Sequence, residues 1–197
     1  MFRRKPSEPA TERWLVLGLG NPGSEYRGSR HNIGFLCVDA LAESHGVRAS
    51  NREARSLTAR LRLGSHELIL AKPQTMMNLS GLAARALRTK YRVDLERVLV
   101  LHDDIDLPFG RLRIRKDGGS AGHHGVDSLI EAFGSRAFAR FRVGVDRPVG
   151  NGIDHVLGEF SEGERVRLPA ITQRVSQAVV FAIQNGLDRA MTEYNQG

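Results

Sequence analysis

Three stretches of the chain hold side chains able to do chemistry. The first, Gly18-Leu19-Gly20-Asn21-Pro22-Gly23, follows a short apolar run and has the G-x-G-x-x-G spacing of a dinucleotide-binding loop. Such a loop works only when a helix starts within its glycines, so that the helix N-terminus faces a pyrophosphate. Here Pro22 and the polar stretch from Ser24 to Arg30 delay apolar periodicity until Ile33, and the nucleotide reading fails on context. A tight turn explains the glycines but leaves Asn21 unexplained. The other two stretches are His102-Asp103-Asp104-Ile105-Asp106 and His123-His124. Imidazoles and carboxylates bind metals, yet these follow no recognised metal-site spacing. The same groups also move protons, because a histidine titrates near neutral pH and a carboxylate can fix its tautomer. His31, in the loop Ser29-Arg30-His31-Asn32, is of that type, although a lone loop histidine is by default a surface or capping residue.

Placing these groups takes a scaffold, and the apolar pattern describes one. Trp14 to Leu19 is a continuous apolar run that suits a buried strand, followed by a polar loop from Gly20 to Asn32. Ile33, Leu36, Cys37, Ala40 and Leu41 recur at helical spacing, with Gly46 as the stop. Leu57, Ala59, Leu61 and Leu63 alternate before Gly64-Ser65 and Leu68-Ile69-Leu70, which predicts a hairpin. A second helix carries Leu79, Leu82, Ala83, Ala86 and Leu87, with Asn78 as its cap. Val98 to Leu101 is another buried strand opening into an acidic loop, His102 to Asp106. Leu112 and Ile114 alternate with Arg111, Arg113 and Arg115, giving a strand with one apolar and one basic face. Val126, Leu129, Ile130 and Phe133 mark a third helix, Phe141 to Val145 a strand, and Val166 to Ile183 one long C-terminal helix. Strands and helices alternate throughout, which predicts a single three-layer α/β/α domain around a mixed, mostly parallel twisted sheet over residues 14–197. Residues 1–13 read as a disordered basic extension.

The 197 residues carry 29 basic against 22 acidic side chains, a net charge of +7 that favours a polyanionic partner. All but four of the basic residues are arginine. The single cysteine, Cys37, excludes an internal disulfide and fits a reducing compartment. No apolar run approaches the roughly 18 residues of a membrane span, and Met1 to Arg13 lacks the hydrophobic centre of a signal peptide. The expected location is the cytoplasm.

The motifs together carry a resemblance. Gly18 to Gly23, then Glu25-Tyr26, then Ser29-Arg30-His31-Asn32-Ile33-Gly34 resemble the opening signature of bacterial peptidyl-tRNA hydrolases. Lys72-Pro73-Gln74-Thr75-Met76-Met77-Asn78-Leu79-Ser80-Gly81, His102 to Pro108, and Gly118-Gly119-Ser120-Ala121-Gly122-His123-His124-Gly125 agree in order and spacing, as does Val156-Leu157-Gly158-Glu159-Phe160. The likeness covers nearly the whole chain after about Arg13.

The resemblance implies hydrolysis of the ester joining a peptide to its tRNA, with no cofactor and no metal, by a monomer. The residues suit ester hydrolysis. Water is a poor nucleophile at neutral pH, and His31 is the candidate general base with Asp103 as its carboxylate partner. Asn21 and Asn78 can donate to a carbonyl oxygen on which negative charge develops and can hold the peptide. The resemblance adds that Asn21 reads the peptide backbone, that Met76 and Met77 lie against the substrate, and that Tyr26 stacks near the tRNA end. Without it, Met76 and Met77 read as core filler and Tyr26 as packing. Arg111, Arg113 and Arg115 on one strand face form a guanidinium row suited to phosphate contacts or simply a solvated edge, and the resemblance makes Arg115 and Arg142 similar to the family's phosphate-gripping pair.

Two positions depart from the family pattern. His124 stands where asparagine is usual, and Asp127 where a basic residue is common. A bulkier ring at 124 hydrogen-bonds differently from an amide, so the peptide contact there is the least secure part of the assignment. A relative of the plant splicing-factor kind, which binds RNA without hydrolysis, is the alternative, and a metallohydrolase using His102, Asp103, Asp104, Asp106, His123 and His124 is a third class. Retention of His31, Asp103, Asn21 and Asn78 favours the hydrolase.

Overall fold

In a computed structural model that describes residues 12–147 and 152–196, the apolar runs become the centre of one seven-stranded sheet. The strands are β1 (Glu12–Gly18), β2 (Asn51–Glu53), β3 (Ser56–Leu63), β4 (His66–Pro73), β5 (Val98–Asp104), β6 (Leu112–Arg115) and β7 (Ala139–Gly144). Their order is β2-β3-β4-β1-β5-β7-β6. Neighbours among the four inner strands β4, β1, β5 and β7 pair in parallel, and β3 and β6 run against them. The helices are α1 (Ile33–Glu43), α2 (Ser80–Tyr91), α3 (His124–Phe133), α4 (Gly152–Leu157), α5 (Glu162–Asn185) and α6 (Leu187–Tyr194).

Alternation along the inner strands sends side chains to two cores. Val16, Leu70, Leu99, Leu101 and Phe141 pack with Ile33, Cys37 and Leu41 of α1 and Val175, Val179 and Ile183 of α5. Leu15, Leu17, Ile69, Val98 and Val100 pack instead with Leu87 of α2 and Val126 and Leu129 of α3. Helices thus cover both faces, as the continuous apolar runs require. At the top of the sheet Gly18 touches the backbone of Gly34, and a Cβ on Gly34 would collide with the Leu101 carbonyl and the Leu19 backbone. These two glycines let α1 start directly against the ends of β1 and β5, which fixes the loop before it.

Several expectations change. β1 opens at Glu12, two residues before the expected boundary, because Glu12 and Arg13 pair with His66 and Glu67 of β4; the rest of the proposed extension lies outside the described residues. His102, Asp103 and Asp104 are not loop residues but the buried last turns of the β5 ladder, opposite Arg142, Val143 and Gly144 of β7. Asn78 does not cap α2: a 3₁₀ turn over Met77–Leu79 precedes that helix, and the turn pushes the cap position to Leu79. The C-terminal helix expected over Val166 to Ile183 is α5, although Val166 faces solvent rather than the core, and a further short helix, α6, follows Gly186, whose φ of 91° leaves the helical region. Arg111 lies before β6 and donates to the Asn195 carbonyl at 2.7 Å, so it does not share the basic face of that strand.

Candidate active site

The parallel strands β4, β1, β5 and β7 all end at one edge of the sheet, and in open α/β sheets that carboxyl edge is where crevices form. β1 delivers Asn21, β4 leads into Met76, Met77 and Asn78, and β5 ends in Asp103 and Asp104. With Tyr26, His31, His123 and His124, these residues line a single cavity of about 570 Å³, closed on one side by α4 through Ile153, Val156 and Leu157.

His31 sits in a 3₁₀ turn, Arg30–Asn32, that runs into α1, and it is buried. Its Nδ1 lies 2.9 Å from both carboxylate oxygens of Asp103. Only a protonated Nδ1 satisfies that contact, so in the neutral ring Nε2 is the unprotonated nitrogen, and it has no protein partner among the described residues. Burial works to raise the Asp103 carboxyl, but the charge and N–H of His123 and then of His31 overcome it and hold Asp103 far below the usual carboxylate range. Asp103 is therefore a fixed negative charge that orients the ring and stabilises it when protonated.

His123, which the sequence suggested only as a metal ligand, completes this cluster. Its Nε2 is 2.9 Å from Asp103 Oδ1, while its Nδ1 accepts from the backbone N–H groups of Gly125 and Val126 at 3.1 and 3.3 Å, capping α3. The helix start thus forces the proton of the neutral ring onto Nε2 and aims it at Asp103. The donor atoms of His31, Asp103 and His123 lie within 4.8 Å of one another, the one grouping among the described residues able to hold a metal ion. It is not the set proposed from the sequence. Moreover, capping by α3 keeps a proton on the one His123 nitrogen that faces Asp103, which suits a hydrogen bond rather than a metal bond. The other members of that proposed set are engaged elsewhere. Asp104 pairs with Arg142, and Asp106 with Arg147 at 3.0 Å. His102 donates to the Asp103 carbonyl at 2.7 Å, and burial pushes its imidazole down to about 3.

Asn21 is buried and oriented by its neighbours. Its Oδ1 accepts the Met77 backbone N–H at 2.7 Å, which leaves Nδ2 as the spare donor at the cavity. Asn32 exchanges two hydrogen bonds with the Asn21 backbone, at 2.8 and 2.9 Å, and is a positioning residue that its place beside His31 alone did not reveal. Met77 is buried in the core, as the default reading had it, although it also touches the cavity; Met76 and Asn78 are exposed at the rim. His124, the first residue of α3, is exposed and lines the cavity. Asp127 falls in the first turn of α3, where a negative charge favours the helix N-terminus.

Arg113, Arg115 and Arg142 do not line the cavity. On the antiparallel pair β6–β7, Arg113 lies opposite Arg142 and Arg115 opposite Arg140, so the four side chains share one face. Asp104 connects this face to the cavity, since it lines the cavity and pairs with Arg142 Nε. Arg140 is the unexpected member. It is fully buried, lies 4.0 Å over the Phe138 ring, and donates to the carbonyls of Gly118, Phe138 and Arg136 at 2.7, 2.8 and 3.0 Å. Burial lowers it to about 10, still charged at neutral pH, and its bond to Gly118 anchors the loop that carries His123.

The arrangement is a histidine base tied to a buried carboxylate, beside an oriented amide donor and next to a basic face. Residues 15–197 match the sequence profile of the family described as peptidyl-tRNA hydrolase. The chain is 44% identical over 184 residues to the peptidyl-tRNA hydrolase of Frankia alni, covering 92% of this chain and 93% of that one. It is 46% identical over 181 residues to that of Desulforudis audaxviator, covering 92% of each. Among solved structures, the peptidyl-tRNA hydrolase from Acinetobacter baumannii superimposes with a TM-score of 0.87 at 30% identity, over 96% of this chain and 98% of that one. These relatives are named as hydrolases, and none supports the binding-only alternative.

Proposed function

The chain belongs to the peptidyl-tRNA hydrolase family and hydrolyses peptidyl-tRNA, and from that premise we propose that His31 is its general base and Asp103 the partner that orients it. The observation that carries the assignment is the contact of His31 Nδ1 with Asp103, which leaves Nε2 at the cavity. Nε2 takes a proton from water as the water oxygen adds to the ester carbonyl carbon. Negative charge then builds on the carbonyl oxygen, within reach of an amide donor such as Asn21 Nδ2. Collapse of the tetrahedral species breaks the bond to the ribose oxygen, which recovers the proton from His31. The products are a free peptide acid and a tRNA with its 3′ hydroxyl restored. Atoms and protons balance with water alone, so no cofactor or metal enters the scheme.

Asn78, Met76, Met77 and His124 hold the peptide moiety, and Asn21 distinguishes an N-blocked peptide from a free amino group. Tyr26 stacks at the 3′ end of the tRNA, while Arg113, Arg115 and Arg142 grip phosphates of the acceptor stem. The substrate arises when peptides leave the ribosome prematurely, which makes the cytoplasm the working location. No helix among the described residues is long and apolar enough to cross a membrane. One chain supplies the whole cavity, and a monomer suffices. The test is turnover of N-acetylaminoacyl-tRNA beside free aminoacyl-tRNA. Release of tRNA from the first and not the second is the expected result; equal cleavage would remove the role given to Asn21.

A further inference from the structure

One wall of the cavity is α4, and none of the five side chains of this helix is buried in the core. Among the described residues, bonds toward its C-terminal end help to set its place. At one point His155 Nε2 donates to the Val145 carbonyl at 2.8 Å, tying α4 to the end of β7. The other attachment is Arg30, the residue immediately before His31. Arg30 Nη1 donates to the carbonyls of Glu159 at 2.8 Å and His155 at 3.4 Å, at the end of α4, where the His155 carbonyl also accepts the Gly158 N–H at 3.2 Å. Its Nε and Nη2 hold the Glu164 carboxylate at 3.3 and 2.7 Å, with both side chains largely shielded from solvent. The backbones join as well: Arg30 N–H donates to the Gly158 carbonyl and Phe160 N–H to the Gly28 carbonyl, each at 3.1 Å, around a bridge between Ser29 and Glu159.

The guanidinium thus meets three partners, one in α4, one just after it and one in the first turn of α5, and a bidentate, shielded pair fixes direction as well as distance. Glu164 cannot be the origin of this order by itself, because it is also half of a capping box with Ser161 at the start of α5. It is held by a rigid helix on one side and presents its carboxylate to Arg30 on the other.

We infer that Arg30 is a positioning residue: through Glu164 and the His155 and Glu159 carbonyls it holds the α4 wall at a set distance from His31, and so governs affinity for the peptide end of the substrate. The inference rests on the proposal that this cavity takes the peptide. Arg30→Lys keeps the charge but loses the fork, and Glu164→Gln keeps the shape but loses the charge. Each should raise KM for N-acetylaminoacyl-tRNA about tenfold, a typical effect for one charged hydrogen bond, with kcat within about twofold of the parent. The double variant should be no worse than either single. Ser161→Ala removes the cap while sparing the pair, and its KM should stay near that of the parent.

Deacylated tRNA used as a competitive inhibitor separates the two ends of the substrate, and its inhibition constant should not move in any of these variants. A tenfold loss confined to kcat would show that Arg30 acts on His31 rather than on α4, and would overturn the inference. So would an unchanged KM in variants whose melting temperature has fallen, a Ser161→Ala variant as impaired as Glu164→Gln, or a parallel loss of deacylated-tRNA binding. If Arg30→Lys does not fold, Glu164→Gln decides the matter alone. Failure of the parent enzyme to distinguish blocked from free aminoacyl-tRNA would instead strike the peptide assignment beneath it.

Discussion

His31 and His123 meet the same carboxylate oxygen, Asp103 Oδ1, each at 2.9 Å. One buried acid thus orients the His31 ring and is itself held by a second imidazole, whose proton is directed by the start of α3. The consequence is testable by order of loss. Asp103→Asn removes the negative charge and replaces one acceptor oxygen with a donor, and should lower kcat by roughly 10²- to 10⁴-fold. His123→Ala leaves the His31 contact in place and should cost about tenfold. Because both act through Asp103, the double variant should resemble Asp103→Asn alone in single-turnover hydrolysis. Multiplying losses would show that His123 works independently.

Acid should weaken the fold through the end of β5. His102 is lowered to about 3 by burial and by its neighbour His123, whereas in the unfolded chain it returns to about 6.5. The unfolded state therefore binds the extra proton between those values, and stability falls as pH drops through that window. Asp103, held far below the usual range, acts further down: its contribution is present above about pH 4 and is lost in stronger acid. Urea unfolding at pH 4.5 should give about 2 to 3 kcal/mol less stability than at pH 7 from His102 alone. His102→Gln should flatten the slope across pH 4.5 to 6.5; an undiminished slope would assign it to other groups.

The approach of α1 to the sheet ends depends on Gly34, where any Cβ would meet the Leu101 carbonyl and the Leu19 backbone. Backbone cannot move aside as a flexible side chain does. Gly34→Ala should therefore cost about 3 kcal/mol or more and displace His31, three residues earlier. Thermal unfolding and kcat measured together check this, and a stable, fully active variant would contradict the packing described.

On the basic face, Arg142→Ala and Arg115→Ala should raise KM more than they lower kcat, since phosphate contacts act on ground and transition states alike. Each lost contact should also reduce the log–log salt dependence of binding by about 0.7 to 0.9. An unchanged slope would make this face a bystander.

His124 occupies an exposed place at the cavity on the first residue of α3. An amide there donates and accepts at once, so His124→Asn should keep or lower KM and leave kcat within about twofold. Markedly weaker binding by that variant would show that the imidazole makes a contact an amide cannot.

What could be read from the chain followed from how local each feature is. β1, β5 and α1 were legible because a strand or helix covered on both sides writes its burial into consecutive or periodic apolar residues such as Val98 to Leu101. His31, Asp103 and Asn21 stood out by type and motif, and the structure brings all three to one cavity. Asp104 and His102 were misread as loop because polar residues ending a buried strand look like the loop that follows. The pairing of Asp104 with Arg142 needs β5 beside β7, a non-local fact. Arg140 was one arginine among many. Its place between Ala139 and Phe141, in a stretch apolar from Phe138 to Val143 apart from Arg140 and Arg142, was the available sign of burial. His123 was named only as a possible metal ligand, and its bond to Asp103 was missed because it depends on where α3 begins. α6, beyond Gly186, was not read because it is short and buries only Ala190.

The most direct measurement is single-turnover hydrolysis of N-acetylaminoacyl-tRNA by His31→Ala, with binding of the same tRNA followed in parallel. The ring lies outside both packed cores, so the variant should fold and bind as the parent does, while hydrolysis falls by at least about 10²-fold. A folded, binding-competent His31→Ala enzyme that still cleaves at close to the parental rate would contradict the assignment of His31 as the base.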